Sequence, residues 1–363
     1  MSRKEARLSL IDTIKAAASQ LIVLHHLAFY GPVSDAAHDW MPRLTAWLAD
    51  YGRIAVQAFL VVGGFLAARS LAPLGRLEAG GVRGLILKRY LRLALPYCAM
   101  LGAAIVAAAF ARPWVEGDTV PSSPHAFQLL AHLFLLQDLL GQDALSAGVW
   151  YVAIDFQLFV LLLVVFGLTR RLAPDASVLA PMLIALLGAA SLLSFNRDAD
   201  LDSWAIYFVG AYALGAWAWW SNQAPLRRDG RMMLTACLLA LATVLALLWE
   251  FRSRIAVAAG IAVLLGIATR RGWLTVGPNG RVVAGLAQIS YAVFLIHFPV
   301  YLLINAGFAR WTDATPAQGA AAFVFAWIAS LAAGAAFHRW VEQPAGHVMQ
   351  HLGRLRRLRP LAG

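Results

Sequence analysis

Val149-Trp150-Tyr151-Val152-Ala153-Ile154-Asp155-Phe156-Gln157-Leu158-Phe159 continues with apolar character to Thr169, and Asp155 is the one residue of a charged type in the run. About 20 predominantly apolar residues are what a helix needs to cross a hydrocarbon core. Nine further runs of this kind recur, near 12–30, 53–71, 93–111, 177–195, 204–221, 232–250, 255–269, 286–306 and 319–339. The pattern predicts an all-α polytopic membrane protein with about ten transmembrane helices, of which 255–269 is the shortest. Composition agrees: 61% of residues are hydrophobic and 13% charged, where soluble domains carry about 25% charged residues. The mean hydropathy is +0.67.

Orientation follows from the cations, because basic loops are retained in the cytoplasm. With the N-terminus inside, Arg3, Lys4 and Arg7, the cluster Arg76 to Arg92, and the pairs Arg170/Arg171, Arg227/Arg228 and Arg270/Arg271 all fall on that side, as does the tail Arg354, Arg356, Arg357 and Arg359. Both termini are therefore expected in the cytoplasm. The net charge of +11 is a topology signal whose natural partners are membrane lipids with anionic headgroups. No nucleic acid partner is expected, since the basic tail lacks interleaved aromatics. The N-terminal segment has the basic start of a secretory signal, but Ala16, Ala17 and Ala18 precede its apolar core, so it reads as an uncleaved first span. Cys98 and Cys237 fall inside predicted spans and are expected as small core residues, with neither disulfide nor metal spacing. One transmembrane domain over 1–345 followed by a basic cytoplasmic tail over 346–363 is the expected organisation.

Several spans carry groups that lipid excludes. Asp12-Thr13-Ile14-Lys15 opens the first apolar stretch and His25-His26 lies near its end. Lys or Asp at a helix centre costs roughly 2.5 to 3.5 kcal/mol on insertion scales, so an intramembrane charge is a functional-site candidate by default. Eleven helical steps put Lys15 and His26 on nearly one face, roughly 16 Å apart along the axis, while His25 points about 100° away. Asp155 lies one turn from Trp150 and Tyr151 and is either ion-paired with a neighbouring helix or poised to exchange protons. Ser290 and His297, seven apart, share a face with Tyr301 one turn on, and Pro299 frees a backbone carbonyl nearby. A lone histidine there either cross-links helices or takes part in chemistry.

Lys88-Arg89-Tyr90-Leu91-Arg92, at the cytoplasmic mouth of the third span, has more cations than orientation requires. It suits either lipid phosphate or the phosphates of a nucleotide-bearing donor. Gly63-Gly64 marks a close approach of backbone, by a neighbouring helix or by a ligand. Glu342, ahead of Pro344, is expected to pair with cytoplasmic arginines. His347 and His351 are four apart but lack a third ligand, so no metal is expected. The segment Ala126 to Leu136 is too short to span and is expected to be interfacial or re-entrant, a candidate for substrate contact.

In order and spacing, these blocks resemble the acyltransferase 3 family of integral membrane acyltransferases. Ile11-Asp12-Thr13-Ile14-Lys15 with His26 is similar to the family's opening Leu-Asp-x-Leu-Arg and following histidine, with Lys15 in place of Arg. Ala58 to Phe65 aligns with Phe-Phe-x-x-Ser-Gly-Phe, Gly63 replacing Ser. Residues 88 to 97 fit the Arg-rich block before Pro-Tyr. Trp150 to Phe159 fits Trp-Tyr-x-x-x-Glu-x-x-Phe-Tyr, Asp155 replacing Glu. Ser290 to Pro299 and Glu342 to Pro344 supply the last two blocks. The resemblance implies transfer of an acyl group, acetyl above all, from an acyl-CoA to a hydroxyl of an envelope glycan or glycolipid, in a bacterial inner membrane. On that reading His26 is the general base, with Asp155 and His297 as further catalytic residues. Lys15, Lys88, Arg89 and Arg92 would hold the coenzyme, and Asp12, Trp150, Ser290 and Tyr301 would bind substrate, with Ser290, Tyr301 and His297 lining the acceptor or thioester path. The competing readings are a non-catalytic exporter or flippase of a glycan or lipid-linked sugar, and a scaffold within a polysaccharide synthase.

Overall fold

The computed structural model describes residues 7–78, 80–115, 119–277, 280–311 and 313–347. Arg3, Lys4, His351 and the tail arginines lie outside the described residues. Among those described there is no strand. The helices are α1 (Ser9–Phe29), α2 (Gly31–Trp40), α3 (Pro42–Tyr51), α4 (Val56–Leu71), α5 (Val82–Ala111), α6 (Ala126–Leu133) and α7 (Val149–Leu172). They continue as α8 (Leu179–Leu193), α9 (Ala205–Trp220), α10 (Ala224–Arg227), α11 (Gly230–Trp249), α12 (Ser253–Arg271), α13 (Arg281–Phe308) and α14 (Pro316–Phe337), which runs on into a π-helical turn at His338–Glu342.

Each of the ten apolar runs lies on a helix. Among the described residues eight helical stretches are long and apolar enough to cross a membrane. The other two apolar runs fall on α1, which carries Asp12 and Lys15, and on α9, which has only 16 residues. α11 and α12 present rows of exposed large apolar side chains, among them Leu234, Leu238, Leu241, Leu245, Val263 and Ile267. Such surfaces suit lipid and mark an integral membrane protein. Cys98 and Cys237 are exposed on α5 and α11 and are not core residues as expected, because an apolar thiol is as well accommodated by lipid as by protein.

The chain divides into two compact units. The first comprises Met1–Ala18, Ile54–Ile86 and Ala153–Ala287. Its centre is α9, with 12 buried residues of 16, packed by α4, α8 and α12. A Cβ on Gly64 would lie 1.9 Å from the Tyr212 carbonyl oxygen, and one on Gly215 would lie 1.9 Å from that of Val61. The two backbones thus touch reciprocally, which only glycine permits. Indole N–H groups of α9 fasten its neighbours: Trp220 donates to the Ala72 carbonyl past the end of α4 at 2.8 Å, and Trp217 to that of Pro181 in the first turn of α8 at 3.2 Å.

The second unit comprises Ser19–Arg53, Leu87–Val152 and Gln288–Gly363. Its core is built from Val23, Leu27, Val33, Leu48, Val293 and Phe323 with their neighbours. Pro32 and Pro42 stand in the first turns of α2 and α3, where a missing N–H costs nothing. α6, at eight residues, is about 12 Å long, so the segment does not span. His132 folds it: Nδ1–H donates to the Gln128 carbonyl at 2.9 Å, and the Leu145 N–H donates to Nε2 at 3.2 Å. Burial pushes the His132 pKa below its ordinary 6.5.

Candidate active site

In the second unit the end of α1 meets α13. Nδ1 of His26 and Nε2 of His297 are 2.7 Å apart, with ring planes 4° from parallel. Nδ1 of His297 lies 3.1 Å from the Val293 carbonyl oxygen one turn back on its own helix. A carbonyl only accepts, so His297 carries its proton on Nδ1 and, as a neutral ring, offers a bare lone pair on Nε2. His26 must then donate from Nδ1, which leaves its own lone pair on Nε2. Val293 thereby sets the tautomer of a ring on another helix. His297 is 0% exposed and His26 8%, so the unpaired nitrogen belongs to the ring that keeps an opening.

The contact is braced at one-turn intervals along α13. Tyr301 donates its hydroxyl proton to the Leu27 carbonyl at 2.8 Å. Asn305 Oδ1 accepts from the Val33 N–H at 3.0 Å. Phe294 lies 6.2 Å from the His297 ring and Tyr30 lies 5.8 Å from that of His26, centroid to centroid. His25, adjacent in sequence, turns away from the pair and fastens α3. Its Nδ1–H donates to the Leu48 carbonyl at 3.0 Å, and Gly52 packs so tightly on it that a Cβ would come within 2.7 Å of the His25 Cβ.

The other sequence-identified residues fall as follows. Trp150, Ser290 and Tyr301 lie in the second unit with the histidine pair. Ser290 is buried and Trp150 half-buried; Tyr151 packs edge-on to Phe294 with centroids 5.4 Å apart. Lys88, Arg89 and Arg92 are also in this unit, on α5, with Lys88 and Arg92 exposed and Arg89 half-buried. Tyr90, between them, donates to the Leu133 carbonyl at 2.7 Å and secures the end of α6.

Asp12, Lys15 and Asp155 belong to the first unit. Asp12 is paired with Arg7 at 2.6 Å in the first turn of α1, where a carboxylate complements the helix dipole. Lys15 is half-buried. Asp155 is buried, and a Cβ on Gly63 would sit 3.5 Å from its Oδ1 and 3.1 Å from the Tyr212 ring. Gly63 and Asp155 are therefore neighbours across a helix contact.

Among the described residues the partner of Glu342 is His338, and not an arginine as the sequence suggests; the tail arginines lie outside those residues. The carboxylate accepts from His338 Nδ1 at 2.7 Å, because the i, i+4 spacing brings the imidazole to it. Nε2 of His338 faces the side-chain amides of Gln288 at 3.2 Å and Gln343 at 3.1 Å. Among the described residues no three His, Cys, Asp or Glu side chains converge as metal ligands. Asn305 escapes a reading of the sequence, although it continues the series 297, 301, 305 on one face. Tyr212 and the Val293 carbonyl have no sequence signal.

A model of the acyltransferase 3 family, described as an acyltransferase domain, matches residues 8–339. No curated protein and no solved structure matches the chain. With the family's pattern carried over nearly the whole length, this chain belongs to the acyltransferase 3 family of membrane acyltransferases.

Proposed function

We propose that the chain transfers an acyl group, acetyl in the first instance, from an acyl-CoA to a hydroxyl of an envelope glycan or glycolipid, with His26 as general base. The observation that carries this reading is the 2.7 Å contact of His26 Nδ1 with His297 Nε2, whose own Nδ1 lies 3.1 Å from the Val293 carbonyl oxygen. The lone pair on His26 Nε2 takes the proton of the acceptor hydroxyl as the oxygen attacks the thioester carbonyl. The carbon–sulfur bond then breaks, and the departing thiolate takes the proton back. During the step the His26 ring is positively charged, and its Nδ1–H points at the bare Nε2 of His297. That nitrogen plays the part the aspartate plays in a Ser-His-Asp triad, holding the base in one tautomer and accepting from its imidazolium. Val293 in turn holds His297.

The donor is a substrate, and the residues suited to its phosphates are Lys88, Arg89 and Arg92, with Lys15 as a further cation. Two exposed cations four apart on α5, with Arg89 beside them, match phosphate oxygens well. The positive-inside arrangement, with both termini cytoplasmic, sets this cluster on the side where acyl-CoA is made. Ten spans in a bacterial inner membrane complete the reading, in which Asp155, Asp12, Trp150 and Ser290 serve positioning or acceptor contact.

The test is release of coenzyme A from acetyl-CoA by purified protein in lipid, with a membrane glycolipid extract as acceptor. His26→Ala is expected to lower release by about 10²- to 10⁴-fold, and His297→Ala to lower the maximal rate with the half-saturating acetyl-CoA unchanged. A wild-type protein that binds acetyl-CoA but frees no coenzyme A refutes the proposal in favour of an exporter or flippase.

A further inference from the structure

Beyond the histidine pair, in the second unit, α2 and the end of α13 line an open cavity of about 500 Å³, with Asp35, His38 and Asp39 exposed at it. Pro32, Asp35 and Asp39 line it on one side, Phe308 and Trp311 on the other. His38 also faces it, with Nδ1 2.9 Å from the Thr45 hydroxyl. The size is that of a small-molecule site. Its chemistry is mixed in a particular way. Trp311 is 61% exposed, a broad apolar face left uncovered, and two carboxylates stand opposite. Among the described residues no ion pair engages Asp35 or Asp39. Lipid tails would suit the indole but not the carboxylates, and a cation would suit the carboxylates but gain little from Pro32 and Phe308.

A sugar ring satisfies both. Its hydroxyls donate to carboxylate oxygens, which only accept, and its C–H face covers an aromatic plane. Two carboxylates on one wall repel a phosphorylated or uronic acid ring, so the fitting ring is neutral or carries an amine.

The walls are preformed. Gly31 has φ +77°, and a Cβ there would lie 2.9 Å from three side-chain atoms of Asn305. With the Val33 N–H bonded to the same asparagine, α2 is locked against α13 before any ligand arrives, which reduces the entropy lost on binding. His297, Tyr301, Asn305 and Phe308 follow one another along α13. His297 and Phe308 are eleven residues apart, about 16 Å along the axis. A ring in the cavity is therefore not the one being acylated. Binding of such a remote part of a substrate can be used to orient the reacting part.

We propose that this cavity is a remote acceptor subsite holding a neutral or amino sugar ring of the glycan, with Trp311 as its stacking face and Asp35 and Asp39 as acceptors of its hydroxyl protons. The proposal rests on the acyltransferase reading. Coenzyme A release is measured against increasing amounts of membrane glycolipid extract for wild type, Trp311→Ala, Trp311→Phe and the double variant Asp35→Asn/Asp39→Asn. Trp311→Ala and the double variant are expected to raise the half-saturating amount of extract by about tenfold, with the half-saturating acetyl-CoA unchanged and Trp311→Phe close to wild type. An unchanged half-saturating amount of extract in Trp311→Ala overturns the subsite and leaves Trp311 an interfacial aromatic. A rise in half-saturating acetyl-CoA in parallel overturns it too, because the effect is then not confined to the acceptor. Absence of release from the wild type itself brings down the acyltransferase reading, and the subsite with it.

Discussion

The α4–α9 contact of the first unit and the α1–α13 contact of the second both join helices inside a hydrophobic protein, by opposite means. Between α4 and α9 the side chains are removed: Gly64 and Gly215 let each backbone rest on the other's carbonyl. Between α1 and α13 the side chains are polar and buried: His26 meets His297, and Tyr301 meets the Leu27 carbonyl. Helix packing in an apolar surround needs only the first arrangement. Buried hydrogen-bonding groups cost more to hide than small residues do, and they persist where their partners are satisfied or their chemistry is used. The difference separates a contact that holds the protein together from one that can act.

Three experiments press on that difference, and a fourth concerns a buried histidine outside both contacts. His26→Ala should abolish most coenzyme A release while the purified protein stays monodisperse; a variant that instead aggregates would make the histidine contact as structural as the glycine one. Gly64→Ala should do the reverse, lowering stability by about 3 kcal/mol through overpacking against the Tyr212 carbonyl, read as a lower thermal midpoint in detergent. A folded, fully stable Gly64→Ala protein would show that α4 and α9 can separate freely. Tyr301→Phe deletes one hydrogen bond to Leu27 and should cost about 1 kcal/mol, with a modest fall in release if the brace steadies His26.

The smallest effect concerns acid. The His132 pKa lies below its ordinary 6.5, so the folded segment binds fewer protons than the unfolded one once the pH falls through that value. The stability contributed by the neutral ring is complete above about pH 6.5 and is lost progressively as the pH drops through the depressed folded value. Hydrogen exchange at the Leu145 N–H should quicken relative to its intrinsic rate as the pH falls below 6.5, and His132→Gln should remove that dependence.

Much of the fold is legible in the sequence because membrane helices announce themselves by length. All ten apolar runs are helices, yet their ends move where side chains meet water. Apolar character alone starts α5 at residue 93, whereas the helix begins at Val82; the added turns carry Lys88, Arg89 and Arg92, good helix formers that an apolar window passes over. α2 and α3 escape such a window because neither contains an apolar run long enough to span. Their prolines at the first turns are readable signals. The site is legible only in parts. His26 and His297 are each identifiable as intramembrane imidazoles, but a contact between residues 271 apart leaves no trace in spacing. The Gly63-Gly64 pair foretells a close approach, and only the structure supplies the Tyr212 carbonyl as what approaches. Glu342 goes to His338 because the imidazole one turn away is within its reach.

The burial of α9 bears on how the protein meets membranes of different thickness. At 16 residues it is about 24 Å long, shorter than a hydrocarbon core of about 30 Å. A lipid-facing helix of that length would have to thin the bilayer or draw its flanking residues inward. Encased by protein on most of its surface, α9 transmits no such demand. Any mismatch falls instead on helices such as α11 and α12, whose apolar windows are only 28% buried. A thicker bilayer should therefore tilt or stretch the periphery of the first unit and leave the glycine-locked centre in register.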